Sequence, residues 1–434
     1  MENLGLCKDS VFSFRPHHAT NFNGMRSRFL RDITVFSAGS LVVGMLYMLY
    51  AILTARLLGD AEYGLFQALM GLHGMAMTLG LVLNVGTLHV VSTAQDTHKA
   101  QALGAAMRVA LFFGVILCGA LALASPIASR FLGADSVFPF VALGLMVFTN
   151  IILETLYGGL QGRNQYGVFS MARAIDAIMT MGLGVLLIVS GFSAAGAVGG
   201  YAISMGIVCM ALLRRRGLYE PNAGIEPVRK EMRGLRQPLA VALALMVVSN
   251  VPMLVARARL PEAMAGHYGV LFGLRFGVLT FAMAAAWPLY SRSVSGDGEP
   301  GMLRKALATV AVPGIGLLGV SVVAPRLFIG ILFGEGYLPA ADHLSGYAVY
   351  LLAHGLCMVL MFHRAASGSL RGWTLVPPVS VVLSLAWWPA LGIATIIAAQ
   401  TGAWVLWIAV DTGCRTIGTS LGKSREEAEG SSTR

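Results

Sequence analysis

The sequence predicts an all-α polytopic membrane protein of about twelve transmembrane helices, for three reasons. Of its 434 residues, 56% are hydrophobic and only 12% are charged, where a soluble domain carries about 25%. The mean hydropathy is +0.72. The apolar residues also fall in long blocks, many near the roughly 20 residues that cross a bilayer. In hydrocarbon every backbone polar group needs an internal partner, so these blocks read as helices. Strands of a membrane barrel would be shorter and strictly alternating, and these blocks do not alternate.

In chain order the expected spans are Ile33–Leu57, Leu65–Val91, Gly104–Ala124, Phe138–Leu160, Val168–Val189 and Ala194–Leu213. A second set follows: Leu239–Val255, Gly266–Tyr290, Ala306–Val323, Gly346–Phe362, Leu375–Trp388 and Leu391–Val410. The eleventh is short and contains Pro377 and Pro378. The domain reading is a tail over 1–32, a first six-helix bundle over 33–213, a basic linker over 214–238, a second six-helix bundle over 239–410 and a tail over 411–434. Residues Met1 to Arg31 have no apolar core of a secretory signal, so no cleavable leader is expected. Met25, with Arg26 and Arg28 just before the first span, is an alternative start.

Lys and Arg in the short loops set the orientation. With the N-terminus inside, roughly 23 basic residues fall inside and about 5 outside. Arg26, Arg28, Arg31, Arg214, Arg215, Arg216, Arg229, Lys230, Arg233 and Arg236 are among the inside set. Both tails are therefore expected in the cytoplasm. The net charge of +10 then reflects juxtamembrane loops facing anionic membrane lipids, and no nucleic-acid partner is expected. Cys7, Cys118, Cys209, Cys357 and Cys414 show neither disulfide nor metal-ligand spacing, and read as structural. The six Trp suit membrane interfaces.

The two halves repeat one another. Ala55-Arg56, then Tyr63-Gly64 and Leu69, corresponds to Ala256-Arg257, then Tyr268-Gly269 and Leu274. Pro126 before Phe131-Leu132-Gly133 corresponds to Pro325 before Leu332-Phe333-Gly334. Gly191 to Gly200 corresponds to Pro389 to Ala394. An even number of spans per repeat gives both halves the same orientation, with a cavity between them.

The stretch Ala55-Arg56-Leu57-Leu58-Gly59-Asp60-Ala61-Glu62-Tyr63-Gly64-Leu65-Phe66 resembles the first outer loop of bacterial polysaccharide flippases, in the multidrug/oligosaccharidyl-lipid/polysaccharide (MOP) superfamily. Leu160-Gln161-Gly162, Ala265-Gly266-His267-Tyr268-Gly269 and Leu332-Phe333-Gly334-Glu335-Gly336-Tyr337 add to the resemblance, which runs from Arg28 to Val410. It implies two six-helix bundles around a central cavity, in a bacterial inner membrane. The implied activity is transfer of a polyprenyl-pyrophosphate-linked oligosaccharide, a polysaccharide or lipopolysaccharide precursor, to the outer leaflet. Membrane lipids and other polysaccharide-assembly proteins are the implied partners. Many relatives carry an Asp two residues after the Asn of span seven; this chain has Asn250, Val251 and Pro252, so ion coupling by that route is in doubt.

Charges inside a membrane are functional candidates by default. Arg275 lies about 13 Å inside span eight at 1.5 Å per residue. Gly269, Gly273 and Gly277 form a small-residue row on that helix, and Arg275 projects roughly opposite to it. A guanidinium facing a cavity can fork onto a pyrophosphate; the structural alternative is a snorkelling or carbonyl-paired Arg. Arg56 and Arg31, at the outer and inner mouths, are further substrate-binding candidates, with interfacial anchoring and simple topology as their alternatives. Asn84 and Asn250 are polar groups within spans that suit either cavity lining or interhelical hydrogen bonds, as do His73, His89 and His354. Glu154 and Asp176 are candidate coupling carboxylates. Arg173, three residues before Asp176, is the expected ion-pair partner, and Glu154 is within its reach as well.

No Walker loop, nucleophile elbow or Cys-x-x-Cys pair is present, so neither catalysis nor a cofactor or metal is expected. The rival readings are a multidrug or organic-cation antiporter of the same superfamily and, more remotely, a membrane glycan polymerase or ligase. The antiporter wants buried carboxylates, and spans one, two, seven and eight hold none. The polymerase wants an outer domain larger than the loop from Pro325 to Ser345.

Overall fold

A computed structural model describes residues 22–215, 217–220, 236–295, 301–367, 372–388 and 391–431. Among them there is no strand. The helices are α1 (Phe22–Thr93), α2 (Lys99–Phe131), α3 (Phe138–Gly162), α4 (Tyr166–Leu187), α5 (Ser193–Leu213), α6 (Arg236–Arg259), α7 (Glu262–Ser295), α8 (Met302–Val323), α9 (Pro325–Phe333), α10 (Leu344–Ala366), α11 (Val376–Trp387) and α12 (Ile393–Ser431). Side chains in α1 are described from Gly39 onward, so that of Arg31 lies outside the described residues, as does the linker over 221–235.

Nine helical stretches among the described residues are long and apolar enough to cross a membrane, and α11 is a shorter apolar helix. Two of the nine, Gly39–Thr93 with 55 residues and Tyr166–Leu213 with 48, exceed one crossing. Each breaks at a glycine. Gly59 has φ 73° and Gly191 has φ 93°, a left-handed conformation that costs a Cβ-bearing residue about 1–2 kcal/mol. The count of twelve rests on reading both stretches as two crossings and α11 as one.

Large apolar side chains such as Leu123 (83% exposed) and Val323 (84%) cover the outside, which is the surface lipid requires. Small residues set the helix contacts inside. A Cβ on Gly158 of α3 would lie 2.3 Å from the Asn84 carbonyl oxygen of α1, so those two backbones touch. Gly158→Ala should separate α1 from α3 and destabilise the protein by about 1–3 kcal/mol, read as a lower melting temperature in detergent. The row on α7 packs as its spacing implies: Gly269 faces Gln67, Gly273 faces Tyr63 and Gly277 faces Met48, all on α1. This contact joins the first half, α1 to α5, to the second, α6 to α12.

The tryptophans divide. Trp387 and Trp388 end α11 exposed, as expected of an interface. Trp404 and Trp407 are instead buried in α12, where Trp404 packs edge-on against His354 at 4.9 Å. The interfacial expectation fails for these two because α12 turns that face toward α10.

Inner and outer faces are named below after the charge-based orientation. Asp60 and Gly266 pack backbone to backbone at the outer face, where a Cβ on Gly266 would lie 2.1 Å from the Asp60 carbonyl oxygen.

Candidate functional site: a central cavity between the halves

Burial of the outer ends against each other leaves a cavity of about 430 Å³ between the halves. Its lining reaches from Asn84, Gln161 and Phe362, near the inner ends of their helices, to Met70, Tyr201 and Arg275 at greater depth. On the second limb of α1 the lining residues His73, Met77, Leu81 and Asn84 fall on one helical face.

Arg275 reaches this cavity, on the face opposite the glycine row. Its Nη1 donates to Asn250 Oδ1 at 2.8 Å and to the Ser249 carbonyl oxygen at 3.2 Å. Its Cζ sits 3.6 Å from the centroid of Phe272, whose ring face favours a cation. Arg275 has no ion-pair partner within 4.0 Å among the described residues, and its Nε and Nη2 make no hydrogen bond there. A planar fork with five N–H donors is therefore only partly used. Asn250 lines the same cavity and completes its own bonding through Nδ2 to the Met246 carbonyl oxygen at 2.7 Å.

Pro252 explains part of this geometry. A proline in α6 cannot donate to the carbonyl four residues back, that of Val248. Gln400 of α12 supplies the missing donor, Nε2 to Val248 O at 3.3 Å, and accepts from Tyr268 at 2.8 Å through Oε1. The departure from the family pattern is thus built into a polar contact joining α6, α7 and α12.

The first half contributes charge of both signs. Glu154 Oε2 accepts from Asn84 Nδ2 at 2.9 Å, and Asn84 also reaches the Glu154 carbonyl oxygen at 3.0 Å. Asp176 accepts from Tyr47 at 3.1 Å and from Ser204 at 2.7 Å. The expected Arg173–Asp176 ion pair does not form within 4.0 Å, nor does Arg173 pair with Glu154. Hydroxyls on α1 and α5 take the Asp176 oxygens, and Arg173 turns to the rings of Tyr157 at 6.0 Å and Phe169 at 5.7 Å. All three groups line the cavity. Two arginines thus share the cavity with two carboxylates, and Arg275 stands apart in the second half. Sequence spacing could not show that spans four and five turn their acids to the cavity.

Arg56 is not part of this cavity. Its Nε donates to the Leu332 carbonyl oxygen at 2.9 Å and its Nη2 to that of Ile331, at the outer rim. These bonds place it at the outer mouth, where the sequence put it. His73 and His354, left open by the sequence, both line the cavity. His354 Nε2 is 3.2 Å from Ser249 Oγ, while His73 Nε2 is buried without a partner. No His, Cys, Asp or Glu cluster suited to a metal occurs among the described residues.

The fold is that of MOP-superfamily transporters. A multidrug-resistance MATE transporter of that superfamily in an inward-facing conformation matches with TM-score 0.66 and 14% identity, over 89% of this chain and 99% of that one. The lipid II flippase MurJ in an inward closed conformation matches with TM-score 0.70 and 13% identity, over 88% and 87%. A MOP transporter from Pyrococcus furiosus, described as having a binding pocket of reverse polarity, matches with TM-score 0.63 and 14% identity, over 87% and 93%. The family model described as polysaccharide biosynthesis protein matches residues 29–293, more than half of the chain, and the chain belongs to that family. No curated protein sequence matches it significantly.

Proposed function

We propose that the protein is a flippase that carries a polyprenyl-pyrophosphate-linked oligosaccharide, a precursor of polysaccharide or lipopolysaccharide, across a bacterial inner membrane. Both tails lie in the cytoplasm, and the two bundles rock about the central cavity. The observation that carries the reading is Arg275: a cation deep between the halves, unpaired by any carboxylate among the described residues and with donors to spare. A pyrophosphate supplies the charge and the forked acceptors that such a guanidinium favours. Asn250 holds the guanidinium in place, and Arg31 at the inner mouth draws in the anionic head group. The lipid tails remain in the bilayer while the glycan passes through the cavity.

Competition binding in detergent tests this. A short-chain polyprenyl-pyrophosphate glycan should displace a fluorescent analogue of itself, and a lipophilic cation should not. Displacement by the cation alone overturns the reading in favour of the second one.

That second reading, export of organic cations, draws on Glu154 and Asp176 in the cavity wall. In either case these carboxylates are the candidates for ion coupling. Asp176→Asn keeps an acceptor for one of Tyr47 and Ser204 and turns an amide N–H donor toward the hydroxyl oxygen of the other, so the fold should survive. If Asp176 couples transport to an ion gradient, this variant should bind substrate normally yet transport at least tenfold more slowly under a gradient. Unchanged gradient-driven transport would make Asp176 a structural acceptor.

A further inference from the structure

We propose that Arg56 and Arg257 are paired gate latches: each reaches from its own half onto free carbonyls at a helix end of the other half, and together they hold the outer face closed. Arg56 of α1 donates to Ile331 and Leu332 in the last turn of α9. Arg257 of α6 donates through Nε to Leu132 at 2.9 Å and through Nη2 to Gly133 at 3.1 Å, just past the end of α2. Its Nη1 lies 3.3 Å from the Ala61 carbonyl oxygen, again in the first half. The last carbonyls of a helix lack intrahelical donors and carry its negative end, so a guanidinium there is favoured twice over.

The arrangement follows the internal repeat. Ala55-Arg56 corresponds to Ala256-Arg257, and the receiving carbonyls lie in or beside the corresponding segments Phe131-Leu132-Gly133 and Leu332-Phe333-Gly334. One motif pair is thus used reciprocally across the pseudo-symmetric interface. Tyr337 adds a third bridge, its hydroxyl donating to the Ala55 carbonyl oxygen at 2.9 Å. Opening of the outer face separates the halves at this end and must break these bonds. The backbone contact between Asp60 and Gly266 alone could not resist that separation with any directionality.

The latches differ in depth. Arg257 is 7% exposed and is steadied by Glu262 at 3.2 Å, whereas Arg56 is exposed. Water competes for the Arg56 bonds, so Arg257 is the stronger latch.

The inference rests on the transport reading only in needing an outer gate; it does not depend on the cargo. Its test uses the full chain with the five native cysteines replaced and one reporter, Met70→Cys, in the cavity wall. In spheroplasts, a membrane-impermeant maleimide is added from outside and its rate of reaction with the reporter is measured. Arg257→Ala should raise that rate roughly tenfold, as loss of charge-assisted hydrogen bonds from the closed state alone requires. Arg56→Ala should raise it severalfold, and the double variant by about the product. Arg257→Lys should not restore the original rate, because an ammonium cannot fork onto two carbonyls. Rates equal to the reporter background in both alanine variants would overturn the latches. If the Arg257 variants fail to reach the membrane, Arg56→Ala, at an exposed site, decides by itself. A chain that gates normally but moves no lipid-linked glycan would overturn the cargo and leave the latches standing; faultless flipping with unaltered labelling would do the reverse.

Discussion

Arg275→Ala should cut translocation of a polyprenyl-pyrophosphate glycan by at least about 30-fold, while the protein still folds. Truncating a buried, hydrogen-bonded charge costs a bound partner of opposite charge about 2–5 kcal/mol, which corresponds to roughly 30- to 5,000-fold. The side chain bonds only Asn250 and the Ser249 carbonyl, and Asn250 keeps its bond to Met246, so its loss leaves little unsatisfied. Arg275→Lys is the sharper variant. It preserves the charge but loses the fork, so it should retain weak binding and less than a tenth of the rate. Melting temperatures close to wild type in both variants would separate a binding defect from a folding one. Normal flipping by both would make Arg275 structural.

Asp411→Ala should be among the most destabilising single substitutions, by about 3–5 kcal/mol. Asp411 of α12 pairs with Arg364 of α10, and the two side chains are only 6% and 13% exposed. The Arg364 guanidinium also lies 5.5 Å from the centroid of Trp407, so the pair pins α12 to α10 at their inner ends. Removal of the carboxylate takes away the acid that this buried cation pairs with, which is the costly half of breaking a buried pair. Replacing both partners, Arg364→Met with Asp411→Leu, should recover much of the loss. Thermal unfolding in detergent reads both effects. A single variant as stable as wild type would show the pair to be idle.

Much of the architecture was legible in the sequence, and the reason is physical. A bilayer forces satisfied backbones, so composition and block length dictate helices with little freedom left. The breaks near Gly59 and Gly191 were legible because a turn in the left-handed region selects glycine. Arg275 was legible too: three glycines at a spacing of four fix one face of α7, and the opposite face follows from helical geometry. The Ala-Arg repeat was visible as a correspondence, but its purpose was not. Which carbonyls Arg56 and Arg257 meet depends on helix ends 276 and 125 positions away along the chain, and no local pattern encodes that distance. The same limit hid the partners of the carboxylates. Asp176 sits three residues from Arg173, and spacing allowed an ion pair, but Tyr47 and Ser204 from other helices outcompete it. Pro252 read as a missing acid. Its positive role, a carbonyl released to Gln400, needed the position of α12.

The mixed charge of the cavity also sharpens the choice between cargoes. An anion-only site would exclude cations outright. With Arg275 in one half and Arg173, Glu154 and Asp176 in the other, the proposed flippase would hold a pyrophosphate at one wall and respond to an ion at the other. Under the proposed function, pyrophosphate binding and ion coupling would fall on separate bundles.

Reconstitution of the purified chain into proteoliposomes, with a fluorescent polyprenyl-pyrophosphate oligosaccharide and an impermeant quencher, tests the central claim most directly. The account predicts protein-dependent movement of the lipid-linked glycan between leaflets, lost in Arg275→Ala and unaffected by an excess of organic cation. No movement by folded wild-type protein, together with uptake or export of an organic cation in the same vesicles, would contradict it.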